Sequence, residues 1–145
     1  MKRLVSIAML VLLLLTLCAC GGDVSVVKTT VVPSEYFTEA EINDAIQVII
    51  TEFRFSWSGC TLTEISYAGD DVNARETEYY LGQHYADFSA GWGEYDQVII
   101  LTSSFEVDQS GGDGSFNPNS TYTGWNWILV KSGSGPWHHV DHGYG

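Results

Sequence analysis

The stretch from Phe37 to Trp57 restricts the fold more than any other part of the chain. Thr38 suits a helix N-cap, and Glu41 three residues later completes a capping box. Phe37 and Ile42 flank that cap at the spacing of a hydrophobic staple. Ile42, Ala45, Ile46, Ile49, Ile50, Phe53 and Trp57 then recur on one helical stripe, with Val48 off it. Glu41, Asn43, Asp44, Gln47 and Glu52 take the opposite side. The spacing predicts a helix to about Phe55, stopped by Ser58-Gly59. So apolar a stripe needs a second layer to cover it.

The residues that follow offer strands for that layer. Cys60 to Tyr67 reads as a strand with imperfect alternation, and Gly69-Asp70-Asp71 as a turn. Asn73 to about Tyr85 is ambiguous: Asn73 can cap a short helix with Glu76 in the capping-box position, and Gly82 weakens it. Ala86 to Glu94 reads as loop. Gln97 to Asp108 puts Ile99, Leu101, Phe105 and Val107 on one face, and Tyr122 to Lys131 does the same for Trp125, Trp127 and Leu129. Ser132 to Pro136 forms a Gly-rich turn into a last strand from Trp137 to His142. The turn-rich connections favour antiparallel pairing. The expectation is an α+β fold, with the N-terminal helix packed on a curved antiparallel sheet of about four strands.

The N-terminus carries a different message. Lys2 and Arg3 precede an apolar run from Leu4 to Leu17, broken by Ser6 and Thr16. That run is short of the roughly 20 residues a spanning helix needs, and it has the layout of a secretory signal. Leu17-Cys18-Ala19-Cys20-Gly21 resembles the lipobox of bacterial lipoproteins, with Cys20 as the modified residue. The resemblance implies cleavage after residue 19, a diacylglycerol on the Cys20 sulfur, and residence on the outer side of the cell membrane. Residues 20–34 read as a lipidated tether, whose Val24, Val26, Val27, Val31 and Val32 also suit an edge strand ended by Pro33. Residues 35–145 form one α+β domain.

Charge then narrows the partners. Past residue 19, four basic residues face 18 acidic ones, a net charge of −14. Phosphate binding needs clustered Lys and Arg, so nucleic acid and anionic lipid headgroups are poor partners. The excess suits solubility outside the cell, or attraction for cations and basic peptides. With Cys20 lipidated, Cys60 is the one thiol left in the mature chain, so it forms no internal disulfide.

The order of elements carries a family-level likeness. A Phe-Thr-x-x-Glu helix start, a strand, a short helix and three antiparallel strands end in Gly124-Trp125-x-Trp127-Ile128-Leu129-Val130 and Trp137-x-x-Val140-x-x-Gly143. This resembles small uncharacterised lipoproteins of Gram-positive bacteria, whose domain is similar to the cystatin-like, or nuclear-transport-factor-2-like, cone. The likeness spans about residues 35 to 145. It implies a fold and no activity, since that fold hosts enzymes and binding modules alike.

Chemistry could sit in three places. In His138-His139-Val140-Asp141-His142, regular alternation would put His139 and Asp141 on one face, an acid–base dyad of dehydratase or isomerase type. His138 and His142 would lie about 13 Å apart, too far to share an ion, so no metal site is assigned. The loop 108–119 carries Asp108, Asp113, Asn117 and Asn119, but lacks the order of an EF-hand calcium loop. Aromatic residues are the third theme: Trp92 and Tyr95 beside a Gly-rich loop, and Trp125, Trp127 and Trp137 on strands, are candidates for stacking on a ligand. No nucleotide-binding or Ser-His-Asp motif appears, and no cofactor is called for. The best reading is a binding module for an envelope ligand or protein. The His139/Asp141 enzyme and a purely structural spacer remain as alternatives.

Overall fold

A computed structural model describes residues 21–81 and 95–144. In chain order these form β1 (Lys28–Thr30), α1 (Glu39–Ser56), β2 (Cys60–Tyr67), α2 (Asp70–Leu81), β3 (Gln97–Val107), β4 (Thr121–Lys131) and β5 (His138–Tyr144). The five strands make one sheet in the order β1-β2-β3-β4-β5. β1 runs parallel to β2, and every later pairing is antiparallel.

The sheet therefore has five strands rather than about four, and it is mixed. The extra strand comes from residues read as tether. Lys28, Thr29 and Thr30 pair with Glu64, Ile65 and Ser66. Asp23 bridges to Thr61, and the Gly22 N–H donates to Phe53 O at 3.0 Å. A Cβ on Gly21 would stand 1.7 Å from Arg54 O, and one on Gly22 would press into the Phe53 ring. These two glycines let the chain lie against the end of α1, so residues read as tether belong to the packed domain.

Helix α1 forms as its sequence dictates. The Thr38 side chain accepts from the Glu41 N–H, and Glu41 accepts in return from Thr38. Ile42, Ala45, Ile46, Ile49, Ile50 and Phe53 are buried against Leu62, Ile99, Leu101, Phe105, Trp127 and Leu129 of the sheet. Each large side chain so covered contributes about 2 kcal/mol. Both ends of α1 are clamped to the last strands. At the start, Glu41 accepts from Lys131 Nζ at 2.7 Å, Trp137 Nε1 donates to Glu41 O, and the ammonium lies over the Trp137 ring. The Lys131 hydrogen bond, with those from Thr38, lowers the Glu41 carboxyl to about 2. Near the other end, Glu52 meets His139.

The opposite face of the sheet has its own apolar layer. Val98, Ile100, Ile128 and Val130 are covered by Val72, Tyr80 and Leu81 of α2, and by Val140. This helix begins at Asp70, before the Asn73 that the sequence suggested as its cap. Asn73 sits in its first turn and turns its amide to the sheet. β3 runs on past the last β2 residue; Ala68 N still donates to Ile100 O, but Val98 O and Ile100 N have no partner strand there among the described residues. The Asn73 amide takes that place: Nδ2 donates to Val98 O at 3.1 Å, and Oδ1 accepts from Ile100 N at 2.8 Å. No helix among the described residues is long and apolar enough to cross a membrane.

Candidate functional site

β5 decides which polar groups meet. Its register with β4 pairs Val130 with His138, Leu129 with His139, Ile128 with Asp141 and Trp127 with His142. Val140 is the extra residue of a β-bulge between Ile128 and Leu129. Regular alternation fails across it. Val140 and Asp141 both lie on the α2 side, where the Tyr80 hydroxyl donates to Asp141 Oδ2 at 2.9 Å. His139 and His142 lie on the α1 side, both in ring contact with Trp127. The expected His139/Asp141 side-chain dyad is thus split between two faces. What His139 meets is the Asp141 carbonyl, at 2.9 Å from Nε2.

The actual partner of His139 is Glu52. Its Nδ1 stands 2.7 Å from Glu52 Oε2. The sequence placed Glu52 on the solvent side of the helix. The observed carboxylate instead reaches the edge of the sheet and remains about one-third exposed. His142 Nδ1 lies 3.3 Å from His139 Nε2. Burial first, and then the His139 charge, push the His142 imidazole below its ordinary value. Neutral imidazole is therefore its favoured form near pH 7.

Beside this row a cavity of about 470 Å³ opens at the C-terminal end of α1. Glu52, Trp57, Cys60, Asp113, Phe116 and Trp125 contribute to its wall, together with His142. Trp57 and Phe116 stack at 5.4 Å between centroids, and Trp125 and His142 stand edge-on to Trp57. Phe116 is carried by the long β3–β4 loop, which is folded by its own acids. Asp108 accepts from Ser110 N and Asp113 from Ser115 N, contacts that hold both carboxyls below the usual range. Gly59, at φ +72°, lets that loop close on the helix end. A Cβ there would stand 2.6 Å from Ser110 Oγ and 3.1 Å from the Gly112 Cα. Cys60 is buried under the cavity floor, and burial, with Asp108 and Asp113 nearby, pushes its thiol up to about 11. That suits an inert thiol. The Trp125 indole N–H is buried and makes no hydrogen bond to the described residues.

The other aromatic candidates scatter. Trp127 is wholly buried, and its Nε1 donates to Ser103 Oγ. Trp137 is buried at the opposite end of α1. Tyr95 packs on the α2 side, near His138. Trp92 and the lipidation residue Cys20 lie outside the described residues. Of the four aromatic candidates among the described residues, Trp125 reaches the cavity. Trp57, Phe116, Glu52 and His142 were missed. Trp57 looked like the last residue of the core stripe, and it does serve there, with its other edge facing the cavity. Among the described residues no group of three or more His, Cys, Asp or Glu surrounds a common point. No protein-family model, no curated protein and no solved structure matches this chain.

Proposed function

We propose that this chain is an exported, membrane-anchored lipoprotein whose domain binds a small ligand in the Trp57–Phe116–Trp125 cavity. The observation that carries the reading is the wall itself. Three aromatic side chains and an imidazole gather round one opening, where a folding core alone would have closed it. Aromatic faces hold rings and apolar surfaces, and they attract cations through the ring quadrupole. Glu52 and Asp113 at the same opening, and the acidic excess of the chain, favour a ligand that joins a ring face to a positive charge. The anchor rests on the lipobox around Cys20. The cystatin-like or nuclear-transport-factor-2-like cone stays part of this proposal; a helix laid on a sheet with bulges in β2, β4 and β5 is consistent with it. The split of His139 from Asp141 removes the support for the dehydratase or isomerase reading.

The test is titration of the purified chain with ring-bearing amines, aryl amines and amino sugars among them, followed by tryptophan fluorescence. Saturable binding that Trp125→Ala weakens at least tenfold, while Tyr95→Ala leaves it intact, is the expected result. Equal binding by the native chain and Trp125→Ala would remove the cavity from the proposal. Mass spectrometry of the membrane-extracted protein is expected to find a diacylglyceryl group on Cys20, and an unmodified Cys20 there would remove the anchor.

A further inference from the structure

Three atoms able to ligate a metal ion, once the ion displaces the proton that His139 Nε2 shares with the Asp141 carbonyl, meet at the β5 bulge. They are His139 Nε2, His142 Nδ1 and the carbonyl oxygen of Asp141. We infer that they form a chelating site for one divalent transition-metal ion of the zinc, nickel or copper type, with His139 and His142 as its imidazole ligands. This goes beyond the cavity reading and holds whether or not an organic ligand binds there.

The geometry carries it. The facing nitrogens are 3.3 Å apart, while the ring centroids are 5.2 Å apart and the planes differ by 23°. An ion placed about 2.0–2.1 Å from both nitrogens, the Zn–N bond length, would see them at a near-tetrahedral angle. The Asp141 oxygen, 2.9 Å from His139 Nε2, supplies a third donor on the same side. The bulge is what makes this possible. It brings residues three apart in sequence onto one face as neighbours, where a regular strand would send them to opposite faces.

The surroundings match those of a metal ligand. His139 Nδ1 is 2.7 Å from the Glu52 carboxylate. A carboxylate that takes the far N–H of a ligating histidine fixes the tautomer, turns Nε2 to the ion and raises its basicity. His142 also lines the opening at the end of α1, so water can reach the site and complete the coordination. Two imidazoles and one carbonyl fall short of the four protein ligands of a structural zinc site. The site is accordingly an open, exchangeable one, and imidazole donors select zinc, nickel and copper over magnesium and calcium.

The test is calorimetric titration of the full chain with zinc chloride alone, paired with copper(II) quenching of tryptophan emission. Trp57 and Trp127 lie within 5.4 Å of an imidazole ring of the pair, centroid to centroid, so bound copper must quench them. One equivalent of zinc is expected, with affinity falling at least tenfold in His142→Ala and in His139→Gln. His138→Ala, on the far face, is expected to bind like the native chain. Should His142→Ala lose its fold by circular dichroism, His142→Gln takes its place, and imidazole nitrogen shifts of the native chain on zinc addition give a second readout. Absence of saturable zinc binding by the native chain would overturn the site. So would zinc affinity unchanged in the folded His142 variant, or imidazole shifts that zinc leaves in place.

Discussion

Replacing Asn73 by alanine should cost more than any contact visible on the surface of α2 would suggest. The side chain stands in for a missing stretch of strand beside β3. It satisfies Val98 O and Ile100 N, which belong to residues almost wholly out of contact with water. Alanine leaves a buried acceptor and a buried donor without partners. An unsatisfied buried backbone group costs about 1–3 kcal/mol, so the pair amounts to about 2–6 kcal/mol. A domain of this size has a total stability of about 5–15 kcal/mol, so the loss is a large share of it. Urea denaturation followed by tryptophan emission is the assay, read as a lower midpoint at unchanged slope. Hydrogen exchange adds a local readout, because the Ile100 amide loses its acceptor. Asn73→Asp is the discriminating variant. It can still accept from Ile100 N, but it sets a carboxylate oxygen against Val98 O, so at neutral pH it should be at least as unstable as the alanine variant. If Asn73→Ala kept its stability to within about 0.5 kcal/mol, the surrogate-strand argument would be refuted.

Two further outcomes follow from the site and its supports. The Glu41 carboxyl is depressed to about 2 from an ordinary 4.5, so the stability it contributes is present above pH 4.5 and is lost as pH falls toward 2. Its side chain is one-third exposed, so about 1 kcal/mol is expected, and Glu41→Gln should flatten that part of the stability–pH curve in acid denaturation. With its thiol raised to about 11 from 9.0, Cys60 should react with iodoacetamide at pH 8 about a hundredfold more slowly than a free cysteine. Peptide mapping checks this, and labelling of the folded chain at the rate of a short peptide would contradict the burial.

Local periods are readable in one dimension, and what they govern came through. The capping box at Thr38 and Glu41, the stripe from Ile42 to Phe53, and the inward faces of β3 and β4 each depend on residues within a turn or two of one another. What depends on distant partners did not. The valine-rich stretch before Pro33 could be linker or strand, and the exposed edge of β2 decides the matter at Lys28–Thr30. α2 has a thin apolar face, so its start at Asp70 is fixed by packing and by contacts from the segment before α1 and the end of β2. There Asp70 accepts from Ser34 Oγ, Glu35 N and the Tyr67 hydroxyl. Glu52 looked like an ordinary solvent-facing acid because its partner lies 87 residues away.

The β5 bulge explains why the polar groups gather where they do. β5 is the last strand of the sheet and, among the described residues, pairs with β4 alone, so its bulge shifts the register of a single pairing. The bulge also reconciles two demands that regular alternation sets against each other. The α2 layer takes Val140 as apolar cover and Asp141 as the acceptor for Tyr80, two consecutive residues on one face. The α1 layer takes His139 and His142, where Glu52 and the aromatic wall await them. Without the extra residue, either Asp141 would be driven in among Trp127 and Phe53, or His142 would leave the cavity. A charged carboxylate among those rings costs several kcal/mol with no partner to offset it. The same physical pressure that keeps Asp141 out of the core therefore brings the two imidazoles together at its rim.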